Sequence, residues 1–149
     1  MLKKGKIGVI PTDTLYGVVA SAFSGEAVKR VYTLKGRAPT KPCIILISSM
    51  KDLALFGIVL TKKRQKLLSE YWPGPVSIIL SCGTSVPEYL HRGTHTLAFR
   101  VPDDEWLRHF LKRSGPLIAP SANPEGAQPA KTVEEAQKYF GDTVDFYIN

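Results

Sequence analysis

The 149-residue sequence holds only two cysteines and three histidines, and the histidines show no metal-ligand spacing with the cysteines. Cys43 and Cys82 each sit inside an apolar, strand-like run, so they read as reduced, buried thiols rather than as a disulfide or a metal pair. No metal site is expected from them. No apolar run approaches the roughly 20 residues of a membrane span, and Lys3, Lys4 and Lys6 precede nothing like a signal peptide. A cytoplasmic protein with no membrane partner is the expectation. Repeats, low-complexity tracts and linker-like stretches are also missing, so residues 1–149 read as one continuous domain.

Acidic residues are scarce where bases are dense. Residues 1–67 carry thirteen Lys or Arg against three Asp or Glu, whereas residues 68–149 carry seven against ten. Between Glu26 and Asp52 there is no acid, while Lys29, Arg30, Lys35, Arg37, Lys41 and Lys51 all fall there. Such asymmetry suits a polyanionic partner, either a triphosphate or a nucleic acid. Neither a Walker A loop nor a Rossmann glycine fingerprint is present to hold one.

The hydrophobic pattern alternates between strands and helices. Lys6–Ile10, Val18–Ala20, Cys43–Ile47, Val76–Leu80, Thr96–Val101, Leu117–Ala119 and Thr143–Ile148 read as strands, with Cys43–Ile47 and Val76–Leu80 as runs covered on both faces. A helix is expected from Ser24, its N-cap, along the stripe Ala27, Val28, Val31 and Leu34 to Gly36. Further helices are expected over Met50–Phe56, Thr61–Tyr71 and Asp103–Lys112, with a last one after Thr132, where Glu135 completes a capping box. This alternation predicts an α/β domain with a largely covered sheet, and places functional loops at strand ends.

Three loops and one strand carry the candidate chemistry. Pro11–Gly17 offers Thr12, Asp13, Thr14 and Tyr16, enough polar groups for a small ligand or simply a capped turn. Lys35, Arg37 and Lys41 gather at and beyond a helix C-terminus. The macrodipole accounts for Lys35 but not for Arg37 and Lys41, whose crowding a bound phosphate would relieve. Pro120–Gly126 supplies Ser121 and Asn123, with Lys131 just ahead of a helix start. Arg100 is a charge in a buried strand, which requires a cleft or a partner such as Asp103 or Asp104.

Taken together, PTDTLYG at 11–17, KGRAPTKP at 35–42, WPGPVSIIL at 72–80, LAFRVP at 97–102, and PSAN with Gly126 and Lys131-Thr132 resemble the YrdC/TsaC family of threonylcarbamoyl-AMP synthases along nearly the whole chain. The resemblance implies a single-domain, open, twisted mixed sheet with helices packed on it and a basic concave face. It implies the substrates L-threonine, bicarbonate and ATP with Mg²⁺, the product threonylcarbamoyl-AMP, and a downstream transferase complex acting on tRNA position 37. Carried over by position, Thr14 and Tyr16 would contact threonine, and Arg100 and Ser121 the threonylcarbamoyl end. Lys35 and Arg37 would hold the phosphates and be the catalytic pair, with Lys41, Asn123 and Lys131 on the nucleotide. Replacing Lys35 or Arg37 by alanine is expected to abolish turnover and spare the fold, because both lie outside the apolar stripe.

This chain departs from the family pattern at Ala38, at Leu46 where a histidine is common, and at Glu125 where a small serine is usual. Family members also continue beyond the position of Asn149, so an open or weaker nucleotide site is a further expectation. A non-catalytic RNA- or tRNA-binding relative, or a YciO-like paralogue, is the alternative reading. It predicts salt-sensitive RNA binding without threonine-dependent turnover.

Overall fold

The computed structural model describes residues 1–149. Its elements are β1 (Gly8–Pro11), β2 (Tyr16–Ser21), α1 (Gly25–Lys35), β3 (Ile45–Leu46), α2 (Lys62–Leu68), β4 (Ile78–Ser81), α3 (Glu88–His91), β5 (Thr96–Arg100), α4 (Glu105–Ser114), β6 (Leu117–Ile118), α5 (Val133–Phe140) and β7 (Phe146–Tyr147). The strands form one mixed sheet in the order β4-β5-β3-β6-β2-β1-β7. β3 runs parallel to β5 and β7 parallel to β1, while the remaining neighbours are antiparallel. The expected α/β class and open mixed sheet are found.

Strand periodicity explains how one sheet serves two cores. Val9, Val18, Ala20, Ile45, Phe99 and Ile118 point into the larger core, against Val28 and Val31 of α1 and Ala136 and Phe140 of α5. Their neighbours Ile10, Val19, Leu46 and Leu117 point the other way, into a smaller core closed by Leu107 and Leu111 of α4 and by Leu2. The side-chain period of two divides each strand between the faces. Each fully buried aliphatic side chain contributes about 1.5–3 kcal/mol.

Local signals set the helix ends. Ser24 Oγ accepts from Ala27 N, and Gly36, at φ 60°, ends α1 with its N–H donating to the carbonyls of Thr33 and Tyr32. Thr132 Oγ1 caps α5 by accepting from Glu135 N. The Glu135 carboxylate reaches one residue further upstream than a capping box requires, accepting from Lys131 N at 2.7 Å.

Several boundaries differ from the sequence reading. Val76–Leu80 is not a covered strand: β4 starts at Ile78, alternates between half-buried and exposed, and forms a sheet edge, with Ile79 69% exposed. Only Ile45 and Leu46 of the Cys43–Ile47 run pair as strand, because Ser48 and Ser49 turn into the Asp52-capped 3-10 helix Met50–Phe56. Pro11 and Tyr16 are paired ends of the β1–β2 hairpin, which shortens the first loop to Thr12–Leu15. Cys43 is buried, Cys82 only half-buried, and both are free thiols.

Asp145 joins three parts of the chain. Its carboxylate accepts from Ile7 N at 2.8 Å and pairs with Lys6 Nζ at 2.9 Å and Arg30 Nη1 at 3.0 Å. The Ile7 amide, then the Lys6 and Arg30 charges, hold its pKa down to about 2. Part of the basic surplus of the first half is thus neutralised within the fold. Beside this clamp, a Cβ at Gly8 would stand 2.3 Å from the Phe146 ring, so any other residue there would have to displace that ring.

Candidate active site

The turn between β1 and β2 is fixed by Thr12. Its hydroxyl donates to Leu15 O at 2.6 Å and accepts from the Thr14 and Leu15 amides, both at 3.3 Å. Facing it across the sheet is the segment after β6, anchored by Val18 N to Pro120 O at 2.9 Å and Ala122 N to Tyr16 O at 2.8 Å. Between them lies a pocket of about 320 Å³. Thr14, Tyr16, Arg37, Arg100 and Ser121 all line it, with Ile44 and Ala119 as apolar floor. Ala119 belongs to the smaller core and Ile44 packs against it, so the pocket floor rests on that core.

Arg100 projects from the last residue of β5 with its side chain 9% exposed. Its partner is Asp13, not Asp103 or Asp104 as the sequence suggested. Arg100 Nη2 stands 2.8 Å from Asp13 Oδ1, and that carboxylate is 7% exposed. Asp103 instead meets Arg108 at 3.4 Å, and Asp104 caps α4. The Arg100–Asp13 contact is electrostatic: its angle falls short of a hydrogen bond, and both Asp13 oxygens and Arg100 Nε are buried without hydrogen-bond partners. Burial pushes the Asp13 carboxyl up, and the guanidinium opposes that shift only partly. Arg100 Nη2 also donates to Thr14 Oγ1 at 3.4 Å, so one guanidinium group spans the buried acid and the pocket wall.

Lys35 is the largest departure from expectation. It is 3% exposed rather than free of the apolar face, and its Nζ donates to the carbonyls of Ser121 and Asn123. Burial, with Arg37 nearby, lowers its pKa to about 8. Lys35 thus ties the end of α1 to the loop after β6, and its burial contradicts the ground on which its removal was expected to spare the fold. Asn123 is likewise buried, donating to Pro124 O and Ala127 O at 2.8 and 2.9 Å, while its Oδ1 has no partner.

Arg37 lines the pocket while bracing its own loop, with Nη2 donating to Pro42 O at 2.9 Å and Nε to Lys41 O at 3.2 Å. Lys41 lies outside the pocket lining, pairing with Glu125 at 2.9 Å. Glu125 also accepts from Ala38 N at 2.6 Å, which ties the 37–42 loop to the 120–126 loop. The Lys131 side chain is exposed and also lies outside the lining. The pocket thus gathers five of the sequence-derived residues, while Lys35 and Asn123 stand behind its wall. Tyr16, besides lining it, donates its phenol to Asn149 Oδ1 at 2.9 Å. Sequence reasoning undervalued Asp13, although a lone buried arginine and an acid in a polar loop were the available signals. Leu46, at the position where a histidine is common, packs in the smaller core and not in the pocket.

This arrangement resembles known proteins. The Sua5/YciO/YrdC family model, described as "Telomere recombination", matches residues 1–149. The threonylcarbamoyl-AMP synthase of Pyrococcus abyssi is 33% identical over 142 residues, which is 94% of this chain and 42% of that protein. That of Halorhodospira halophila is 30% identical over 148 residues, covering 99% of this chain and 78% of the relative. The P. abyssi Sua5 structure complexed with L-threonine superimposes with a TM-score of 0.91 at 31% identity, covering 99% of this chain and 44% of that one. Escherichia coli YciO shares the fold, with a TM-score of 0.84 at 21% identity. The chain therefore spans less than half of the P. abyssi relative but most of the H. halophila one. On the family match and these likenesses, the chain belongs to the Sua5/YciO/YrdC family.

Proposed function

We propose that this chain is a threonylcarbamoyl-AMP synthase, converting L-threonine, bicarbonate and MgATP into threonylcarbamoyl-AMP and pyrophosphate. The threonine amine takes up CO₂ from bicarbonate as a carbamate. A carbamate oxygen then bonds to the α-phosphorus, and the bond to the β-phosphate breaks with its electron pair leaving on pyrophosphate. The observation that carries this reading is Arg100, buried on Asp13 and turned to Thr14 in a pocket shared with Tyr16, Arg37 and Ser121. A fixed guanidinium group suits the carboxylate of an amino acid or carbamate, because it presents a planar fork of donors. Thr14, Tyr16 and Ser121 supply the short-range polarity that selects a small hydroxylated amino acid.

In this reading Arg37 would meet the phosphates and Lys41, Asn123 and Lys131 the nucleotide, with Lys35 supporting the loop after β6. Such a transfer depends mainly on positioning and on stabilising charge on the transferring group. Magnesium would enter with ATP as part of the substrate, since Asp13 already faces Arg100. The relatives' names and the L-threonine held by the P. abyssi structure support the same chemistry. No helix is long and apolar enough to cross a membrane, in keeping with work in the cytoplasm, where a transferase complex would pass the group to tRNA. Pyrophosphate release from MgATP and bicarbonate should depend on added L-threonine. Arg37→Ala should lower it by about 10²–10³-fold in a protein that still folds. A folded protein whose pyrophosphate release ignores threonine would overturn the reading.

A further inference from the structure

Most cations near the pocket are already satisfied. Asp145 holds Lys6 and Arg30, Glu125 holds Lys41, and two carbonyls hold Lys35. Lys29 and Arg92 are different. With Arg37 they line a second concavity, a groove of about 690 Å³ along the outer side of α1, and no carboxylate lines it. The nearest acids in sequence, Glu26 and Glu88, are exposed and lie outside that lining.

Arg92 is set by the backbone. It ends α3 in the left-handed region at φ 52°, its amide donating to Glu88 O at 2.7 Å. That conformation is unusual for a branched-out, bulky residue. It lays the guanidinium 3.9 Å from the centre of the Tyr32 ring, and Arg37 approaches the same ring at 6.0 Å. Arg92 Nε is buried and unpartnered. The tyrosines serve as fixed walls, since Tyr32 donates its phenol to Lys41 O at 2.7 Å and Tyr89 to Ala22 O at 3.1 Å. What the groove offers a ligand is therefore cationic. A solvated helix face explains Lys29 alone, and ring stacking explains Arg92 alone. Neither explains why Lys29 and Arg92 stand beside Arg37 in a groove that no carboxylate lines.

Arg37 lines both this groove and the pocket of Arg100. We propose that the groove binds a diphosphate anion, the pyrophosphate end of the nucleotide, with Lys29 and Arg92 as its ligands and Arg37 as the link to the reacting α-phosphate. The identity of the diphosphate rests on the synthase reading, whereas the groove's preference for a multiply charged phosphate anion does not. When the α–β bond breaks, the pyrophosphate takes the electron pair, and the one negative charge it gains on the former bridging oxygen falls where these cations stand.

The test is calorimetric titration of the full chain with inorganic pyrophosphate at low salt. Lys29→Ala with Arg92→Gln should weaken binding by about tenfold or more, with L-threonine affinity unchanged. Lys29→Ala alone, at an exposed helix position, keeps the fold and should weaken it by about threefold. Arg92→Lys should retain most of the affinity. Wild-type affinity in the double variant overturns the proposal, as does a loss confined to binding of a short RNA duplex. Pyrophosphate binding that needs Lys29 and Arg92, in a protein without threonine-dependent turnover, supports the groove while removing the synthase reading.

Discussion

Arg100 and Lys41 each meet a carboxylate at nearly the same distance, Asp13 at 2.8 Å and Glu125 at 2.9 Å, yet the two pairs are built for different purposes. The side chains of the first pair are 9% and 7% exposed, and those of the second 62% and 35%. Burial removes the water that could replace either partner, so Arg100 has no alternative to Asp13 and its position is fixed before a ligand arrives. At the surface, water and salt compete with Glu125, and another anion can take its place. The inner wall of the pocket is a framework, and its outer rim is exchangeable.

The sharpest way to break that comparison is to remove one member of the buried pair. Arg100→Leu leaves Asp13 as a buried carboxylate without a counter-charge, which costs about 3–5 kcal/mol. Urea unfolding should register that loss, and threonine binding should vanish with it. Adding Asp13→Asn should restore more than half of the lost stability but none of the binding. If single and double variants unfold alike, Asp13 is not what holds Arg100 in place.

Lys35 gives the next largest effect, because it belongs to the framework although its sequence position suggested the rim. Lys35→Met leaves the carbonyls of Ser121 and Asn123 without their donor, at about 1–3 kcal/mol for each orphaned group. The pH dependence has a definite sign. The folded-state pKa of about 8 lies below the ordinary 10.5, so the unfolded chain binds the proton more tightly. Wild-type stability should therefore rise as pH climbs between those two values, and Lys35→Met should lose that slope. Unfolding midpoints taken at about pH 7.5 and about pH 10 measure it, and equal slopes in both proteins would mean that Lys35 is not buried in solution.

How far the sequence exposed this division depends on the type of signal. Local chemistry was readable: Ser24 and Thr132 cap their helices, Gly36 ends α1, and the alternating strands define two cores. The pocket residues Thr14, Tyr16, Arg37, Arg100 and Ser121 were legible as motif positions, and they do converge. What stayed hidden was pairing between residues far apart in the chain. Asp13 and Arg100 are joined only by the β1–β2 turn reaching across the sheet to β5, and nothing in either local pattern names the other. Lys35 follows Leu34 at the end of an amphipathic helix, where a solvated lysine and a buried brace look the same. The edge position of β4 was equally hidden, since a run such as Val76–Leu80 does not reveal how many neighbours will cover it. The charge imbalance misled in part, because Asp145 and Glu125 return some of the missing acid through the fold.

The smallest predicted effect falls on the rim and separates exchange from simple bracing. Glu125 holds the 37–42 loop through two contacts, one with the Lys41 charge and one with the Ala38 amide, and the same contacts keep its pKa low. Glu125→Gln removes the charge but keeps an acceptor for Ala38, so the loop remains tied while Lys41 is released. If the rim is exchangeable, the released ammonium is available to phosphate. ATP affinity should then rise by about two- to fivefold at low salt, and the gain should fade as salt screens it. Threonine affinity and melting temperature should stay where they were, because neither depends on the rim. A fall in ATP affinity would instead mean that the Lys41–Glu125 pair shapes the loop for the nucleotide, and that the rim outside the pocket is framework as well.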